Sequence, residues 1–191
     1  MKNLLFRLLG ISLVLFLVFV LDITIGDITL FLLVNKKFSS QILDFVFLYI
    51  VVPLLLFLVI VPGLMLFFRR YRAVGVLSIL FGGLSYLFGG LIKFSPRPSQ
   101  ILSQIRLVGD WMVGNNSFPS TTTMLAFGLA LPLYLLEPKI GRFSLLLAFL
   151  AGFFVVYSGY HFPEDAIAGA GICVAIVLPF VFIKKKLDEL Q

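Results

Sequence analysis

Six apolar runs dominate the chain, and little else in it is long enough to fold separately. A helix needs about 20 predominantly apolar residues to cross the hydrocarbon core of a bilayer. The candidate spans are Leu4–Leu21, Leu43–Phe68, Ala73–Ile92, Thr121–Leu136, Phe143–Ser158 and Ala166–Ile183. Hydrophobic residues make up 61% of the 191 and charged residues 13%, too little charge for a soluble domain of this size. The expected fold is therefore all-α: one integral membrane bundle of six transmembrane helices over residues 1–191. The second span carries Pro53 and Pro62, which predicts a kink or tilt.

Basic residues set the orientation. In a six-span chain, Lys2, Arg7, Arg69, Arg70, Arg72, Lys139, Arg142, Lys184, Lys185 and Lys186 fall on one side of the membrane. Lys36, Lys37, Lys93, Arg97 and Arg106 fall on the other. The richer side is cytoplasmic. Both termini are then inside, and the expected location is the plasma membrane. The net charge of +6 is accounted for by topology, with membrane lipids as partners and no nucleic-acid signal. No small-x-small cleavage site follows the first span, which is expected to be retained.

Two segments on the outer side exceed a turn. Asp22–Gln41 mixes apolar and polar residues and is expected to hold a short interfacial helix. In Lys93–Ser120, the residues Ile101, Leu102, Ile105, Val108, Trp111 and Met112 recur at helical spacing. That pattern predicts a surface helix, serving as an anchor or as a cover over a site.

Three polar clusters fall on this same side: KFSPRPS (Lys93 to Ser99), SFPSTTT (Ser117 to Thr123) and YHFPED (Tyr160 to Asp165). Pro96 and Pro98 stiffen the chain around Arg97, whose planar fork suits an oxyanion or a lipid phosphate. Ser120 is placed to cap the fourth span, with Thr121 and Thr122 at a helix start that favours anions. His161 is the only histidine in the chain, and Asp165 lies four residues on. With Pro163 in the first turn, the carboxylate can orient the imidazole and leave its other nitrogen free. One histidine without clustered cysteines or carboxylates makes a zinc site a poor fit, so no metal or cofactor is expected.

The order and spacing of these clusters resemble the type 2 phosphatidic acid phosphatase superfamily, whose motifs run K-x6-R-P, P-S-G-H and S-R-x5-H-x3-D. The resemblance covers nearly the whole chain and implies metal-free phosphoryl transfer on a phosphorylated lipid at the outer leaflet. It implies that His161 is the nucleophile, forming a phosphohistidine, and that Asp165 orients it. Arg97 and Ser120 would hold phosphate. The chain departs from the pattern at four positions. Thr122 stands where the family has its acid histidine, and Phe154 and Val155 stand at the Ser-Arg pair. Gly90 stands at the lysine position, with Lys93 one helical turn later as a substitute.

A positioned general acid is worth about 10²–10⁴ in rate. A leaving phosphate needs little protonation near neutral pH, whereas a leaving alkoxide needs it badly. An active site of this kind is therefore expected to favour polyprenyl or other lipid diphosphates over monoesters. The alternative is a catalytically inactive member that binds, scaffolds or transports a phosphorylated lipid. A structural bundle with a filled site is a third.

Overall fold

The computed structural model describes residues 2–189 and the side chains of residues 4–184; Lys2, Lys185 and Lys186 of the charge tally lie outside those side chains. Helix α1 (Lys2–Ile25) leads through Gly26 into the short α2 (Asp27–Leu32), which ends in a wide turn over Leu33–Lys37. The second span is broken into α3 (Gln41–Val46), a wide π turn over Phe47–Val51, α4 (Val52–Leu55) and α5 (Phe57–Met65). The widened turn ends two residues before Pro53, which has no N–H to continue the ladder. Helix α6 (Arg72–Leu91) is followed by a two-stranded hairpin, β1 (Phe94–Pro96) with β2 (Asn116–Phe118), and α7 (Pro98–Ile101) lies between the strands. Helices α8 (Thr121–Leu136), α9 (Pro138–Tyr157) and α10 (Pro163–Glu189) complete the chain.

Among the described residues, five helical stretches are long and apolar enough to cross a membrane: Leu4–Ile25, Gln41–Met65, Arg72–Leu91, Pro138–Tyr157 and Pro163–Lys184. The remaining apolar helix, α8, has 16 residues and is the most enclosed of the bundle. It packs against α6, α9 and α10, and most of its side chains are buried. Large apolar side chains of α1, such as Phe6, Leu9, Leu13 and Phe16, are exposed in a continuous belt, as lipid-facing helices require. The chain is an integral membrane protein.

Glycines shape the seam between α6 and α8. A Cβ on Gly128 would lie 2.7 Å from the Phe81 carbonyl oxygen, and one on Gly82 would lie 2.7 Å from the Leu129 side chain. Only backbone without side chains fits there. At the far end of α8, Arg7 Nη1 donates to the Leu135 carbonyl (3.0 Å), satisfying an orphan acceptor at a helix C-terminus.

The segment expected to be a surface helix from Ile101 to Met112 is not one. Helix ends at Ile101, and the chain to Asn115 has no regular structure. Gln104 (φ 63°) and Gly109 (φ 87°) adopt left-handed conformations that interrupt any helix. The apolar side chains are used differently. Val108 is buried among Phe31, Phe47 and Phe154, and Trp111 packs edge-on against Phe154.

Candidate active site

The hairpin draws the first two sequence clusters together. Pairing of Phe94 with Phe118 and Pro96 with Asn116 places Lys93 and Arg97 at the start of α8. Lys93 Nζ donates to the carbonyls of Ser117 (2.9 Å) and Pro119 (2.6 Å), which fixes the ammonium against the turn into α8. Helix α10 brings the third cluster to the same place, because the Ser120 N–H donates to the Asp165 carbonyl (3.0 Å).

Asp165 sits in the first turn of α10, after Pro163. Its Oδ2 accepts the Phe162 N–H (2.8 Å), half of a capping box. The same oxygen lies 3.4 Å from His161 Nδ1 and accepts the Ser117 hydroxyl, and Ser117 Oγ is 3.2 Å from Nδ1. The chain Nδ1–H to hydroxyl to carboxylate fixes the proton on Nδ1 and leaves the lone pair on Nε2. His161 is 4% exposed, and its pKa is lowered from the ordinary imidazole value by burial, with Arg97 and Lys93 adding to the shift and Asp165 opposing it. The ring is therefore neutral at pH 7, the form that can attack phosphorus.

Arg97 is buried and oriented by carbonyls: Nη1 donates to Tyr160 (2.7 Å) and Nε to Gly114 (2.5 Å). Nη1 also lies 3.4 Å from His161 Nε2. Burial is the main influence on Lys93 and brings its pKa down to about 8, with Arg97 adding to the shift and Asp165 opposing it. Lys93, Arg97, Thr121, Thr122, His161 and the Gly114–Asn116 segment line one cavity of about 430 Å³. A second groove of about 500 Å³ shares Tyr86, Lys93 and Thr121 with it and runs along α6 over Leu87, Gly90 and Leu91.

Six of the seven residues singled out in the sequence are thus assembled, with Asp165 behind His161 and the other five on the cavity wall. Ser120 is set apart. It is fully buried and caps α8, its Oγ accepting the Thr123 N–H (3.3 Å) and hydroxyl (3.0 Å). The helix start still carries the Thr121 and Thr122 amides, which have no intrahelical partner. Ser117 is the residue that sequence reasoning missed. The signal was its place in SFPS, beside the cap, but nothing in the sequence aligned it with His161. The four departures from the family pattern also have places. Thr122 lines the cavity, Gly90 opens the groove, and Phe154 and Val155 are buried in the apolar core beside Phe31 and Phe47.

Residues 71–188 match the model of the PAP2 superfamily. The bacitracin transport permease protein BcrC of Bacillus licheniformis is 43% identical over 68 residues, 36% of this chain and 33% of that protein. The undecaprenyl-diphosphatase BcrC of Bacillus subtilis (strain 168) is 29% identical over 94 residues, 49% of this chain and 47% of that protein. The matches span half or less of those relatives. Among solved structures, Aquifex aeolicus LpxE superposes with a TM-score of 0.57 at 30% identity, over 80% of this chain and 94% of that one. A PAP2-type phosphatidylglycerolphosphate phosphatase from Bacillus subtilis superposes with a TM-score of 0.58 at 21% identity, over 100% and 98% of the two chains, and supports the fold alone. By motif order, fold and family match, the chain is an integral membrane member of the PAP2 superfamily.

Proposed function

We propose that the protein is a metal-independent lipid diphosphatase that transfers a phosphoryl group from a polyprenyl or similar lipid diphosphate to His161 Nε2 and then to water. The observation that carries this reading is the convergence of Lys93, Arg97 and the α8 N-terminus with Nε2 on one cavity. Two fixed cations beside one carboxylate favour a phosphate dianion. The groove along α6 supplies an apolar path for a lipid chain, and Gly90 keeps that path open. One relative bears the name of an undecaprenyl-diphosphatase. The basic-residue tally supports a site on the non-cytoplasmic side of the plasma membrane.

Phosphoryl transfer depends mostly on positioning and charge. Arg97 and Lys93 hold the phosphate oxygens beside Nε2, and Asp165, through Ser117, stabilises the ring as its charge rises. Without a histidine at Thr122, a leaving phosphate is favoured over a leaving alkoxide. The test is phosphate release from a long-chain polyprenyl diphosphate by the purified protein in detergent, beside His161→Ala. Release by the parent and a loss of about 10³-fold or more in the variant is expected.

A second reading is an inactive member that binds or transports a phosphorylated lipid. It is favoured by Thr122, Val155 and Gly90 at family positions and by the permease name of one relative. No release by the parent, with lipid diphosphate binding retained in His161→Ala, would establish it.

A further inference from the structure

The diphosphate reaction proposed above needs little protonation of its leaving phosphate, but the same transfer from a phosphomonoester leaves one proton unassigned. A phosphomonoester departs as an alkoxide, and Thr122, at the place of the family's acid, has no proton to give at a useful pKa. Of the other groups with exchangeable protons, Tyr86 shares the wall but is half exposed and held by no hydrogen bond among the described residues, and two more are engaged elsewhere or absent from the wall. The Tyr160 hydroxyl donates to the Gly109 carbonyl (2.7 Å), and Asp110 is not among the lining residues.

Lys93 is on the wall, with Thr121, Thr122 and His161. An ammonium has three donors. Two are fixed on the Ser117 and Pro119 carbonyls, within the turn that leads to Thr122. Among the described residues no carboxylate pairs with it. Its third N–H is left for the occupant of the cavity. We infer that Lys93, besides holding phosphate, is the proton donor to the leaving oxygen. This rests on the reaction proposed above.

The step balances. His161 Nε2 forms a bond to phosphorus as the bond to the leaving oxygen breaks. The oxygen keeps the bonding pair and takes a proton from the Lys93 ammonium, which becomes a free amine. In the second half, water attacks phosphorus, the amine takes its proton, and the N–P pair returns to Nε2. Phosphate leaves, and the ammonium is restored. A donor with a pKa of about 8 is better matched to this cycle than an ordinary lysine. The charged and titratable groups around it are Arg97 from the loop, Asp165 on α10, His161 before it, and Tyr86 on α6.

The experiment compares parent and Lys93→Arg on two substrates, a polyprenyl diphosphate and phosphatidic acid. Arginine keeps the charge but releases no proton at these pH values. Turnover of phosphatidic acid is expected to fall about 10²-fold or more, and that of the diphosphate about tenfold or less. Equal losses on both would overturn the inference and leave Lys93 as a phosphate clamp. A parent that cleaves the diphosphate but not phosphatidic acid would overturn it too, while the proposed function would stand. A parent inactive on both would overturn both. The parent alone gives a second measurement that needs no variant. The ratio of kcat/KM for phosphatidic acid to that for the diphosphate should fall above pH about 8, as the ammonium is lost. A ratio that stays flat well above that pH contradicts the inference.

Discussion

Two arginine-centred polar clusters lie at the same end of the bundle, and only one of them is open. Around Arg106, every strong group is matched. Its guanidinium holds both Asp44 oxygens (2.5 and 2.6 Å) and donates to the Asn35 carbonyl (3.0 Å). Asn35 in turn bonds the Arg106 N–H and carbonyl and the Tyr157 carbonyl, and the Tyr157 hydroxyl donates to Asp44 (2.6 Å). Gly159 lets this strand of the network close, because a Cβ there would lie 2.1 Å from the Arg106 carbonyl oxygen. One cation faces one anion, and the cluster needs nothing further. Around Arg97, two cations face one carboxylate, which is itself behind His161, and both cations are oriented by carbonyls that cannot neutralise them. The residual positive charge opens onto a cavity. A cluster built for stability balances its own charge, whereas one built to bind an anion leaves its balance to the ligand.

Substitutions in the two clusters should therefore differ in kind. The largest effect is expected at Arg97: Arg97→Ala should lower kcat/KM for a lipid diphosphate about 10²–10³-fold, more than the loss of stability from freeing the Tyr160 and Gly114 carbonyls can account for. Arg97→Lys should not restore it, since a single ammonium cannot meet the Tyr160 and Gly114 carbonyls and a phosphate oxygen together. Next is Ser117→Ala, which breaks the hydroxyl link between His161 and Asp165; kcat should fall about tenfold or more while KM holds. Acid should reveal the same link. Because burial lowers the His161 pKa, the acid limb of kcat/KM should have its midpoint below the ordinary imidazole value of about 6.5. A midpoint at or above that value would contradict the burial argument. The smallest effect is expected in the closed cluster. Asp44→Asn should cost about 1 kcal/mol of stability, since the ion pair is about 30% exposed, and should change turnover less than threefold.

The three clusters that form the site were visible in the sequence because prolines, a helix cap and a His–Asp spacing are local signals. In the structure Lys93, Arg97 and His161 line one cavity with Asp165 behind the histidine, and all four come from those three local clusters. The hairpin that joins them was not visible, since its strands have three residues each and contain Ser95 and Pro96 in place of an alternating pattern. Ser117 went with it: the register of that hairpin, and no neighbour in sequence, places it on His161. The helical periodicity of Ile101 to Met112 misled because apolar side chains in a loop can pack inward one at a time, as Val108 and Trp111 do. The Arg106 cluster links residues far apart in the chain, and nothing local in Asn35, Asp44 or Tyr157 announces the others.

The central claim is that His161 Nε2 takes the phosphoryl group. The most direct test is to quench the reaction of the purified protein with a polyprenyl diphosphate labelled in its terminal phosphate and locate the label. The account predicts an alkali-stable, acid-labile phosphate on His161, formed before phosphate is released and absent from His161→Ala. Steady release of phosphate without any label on His161, or undiminished release by His161→Ala, would contradict it.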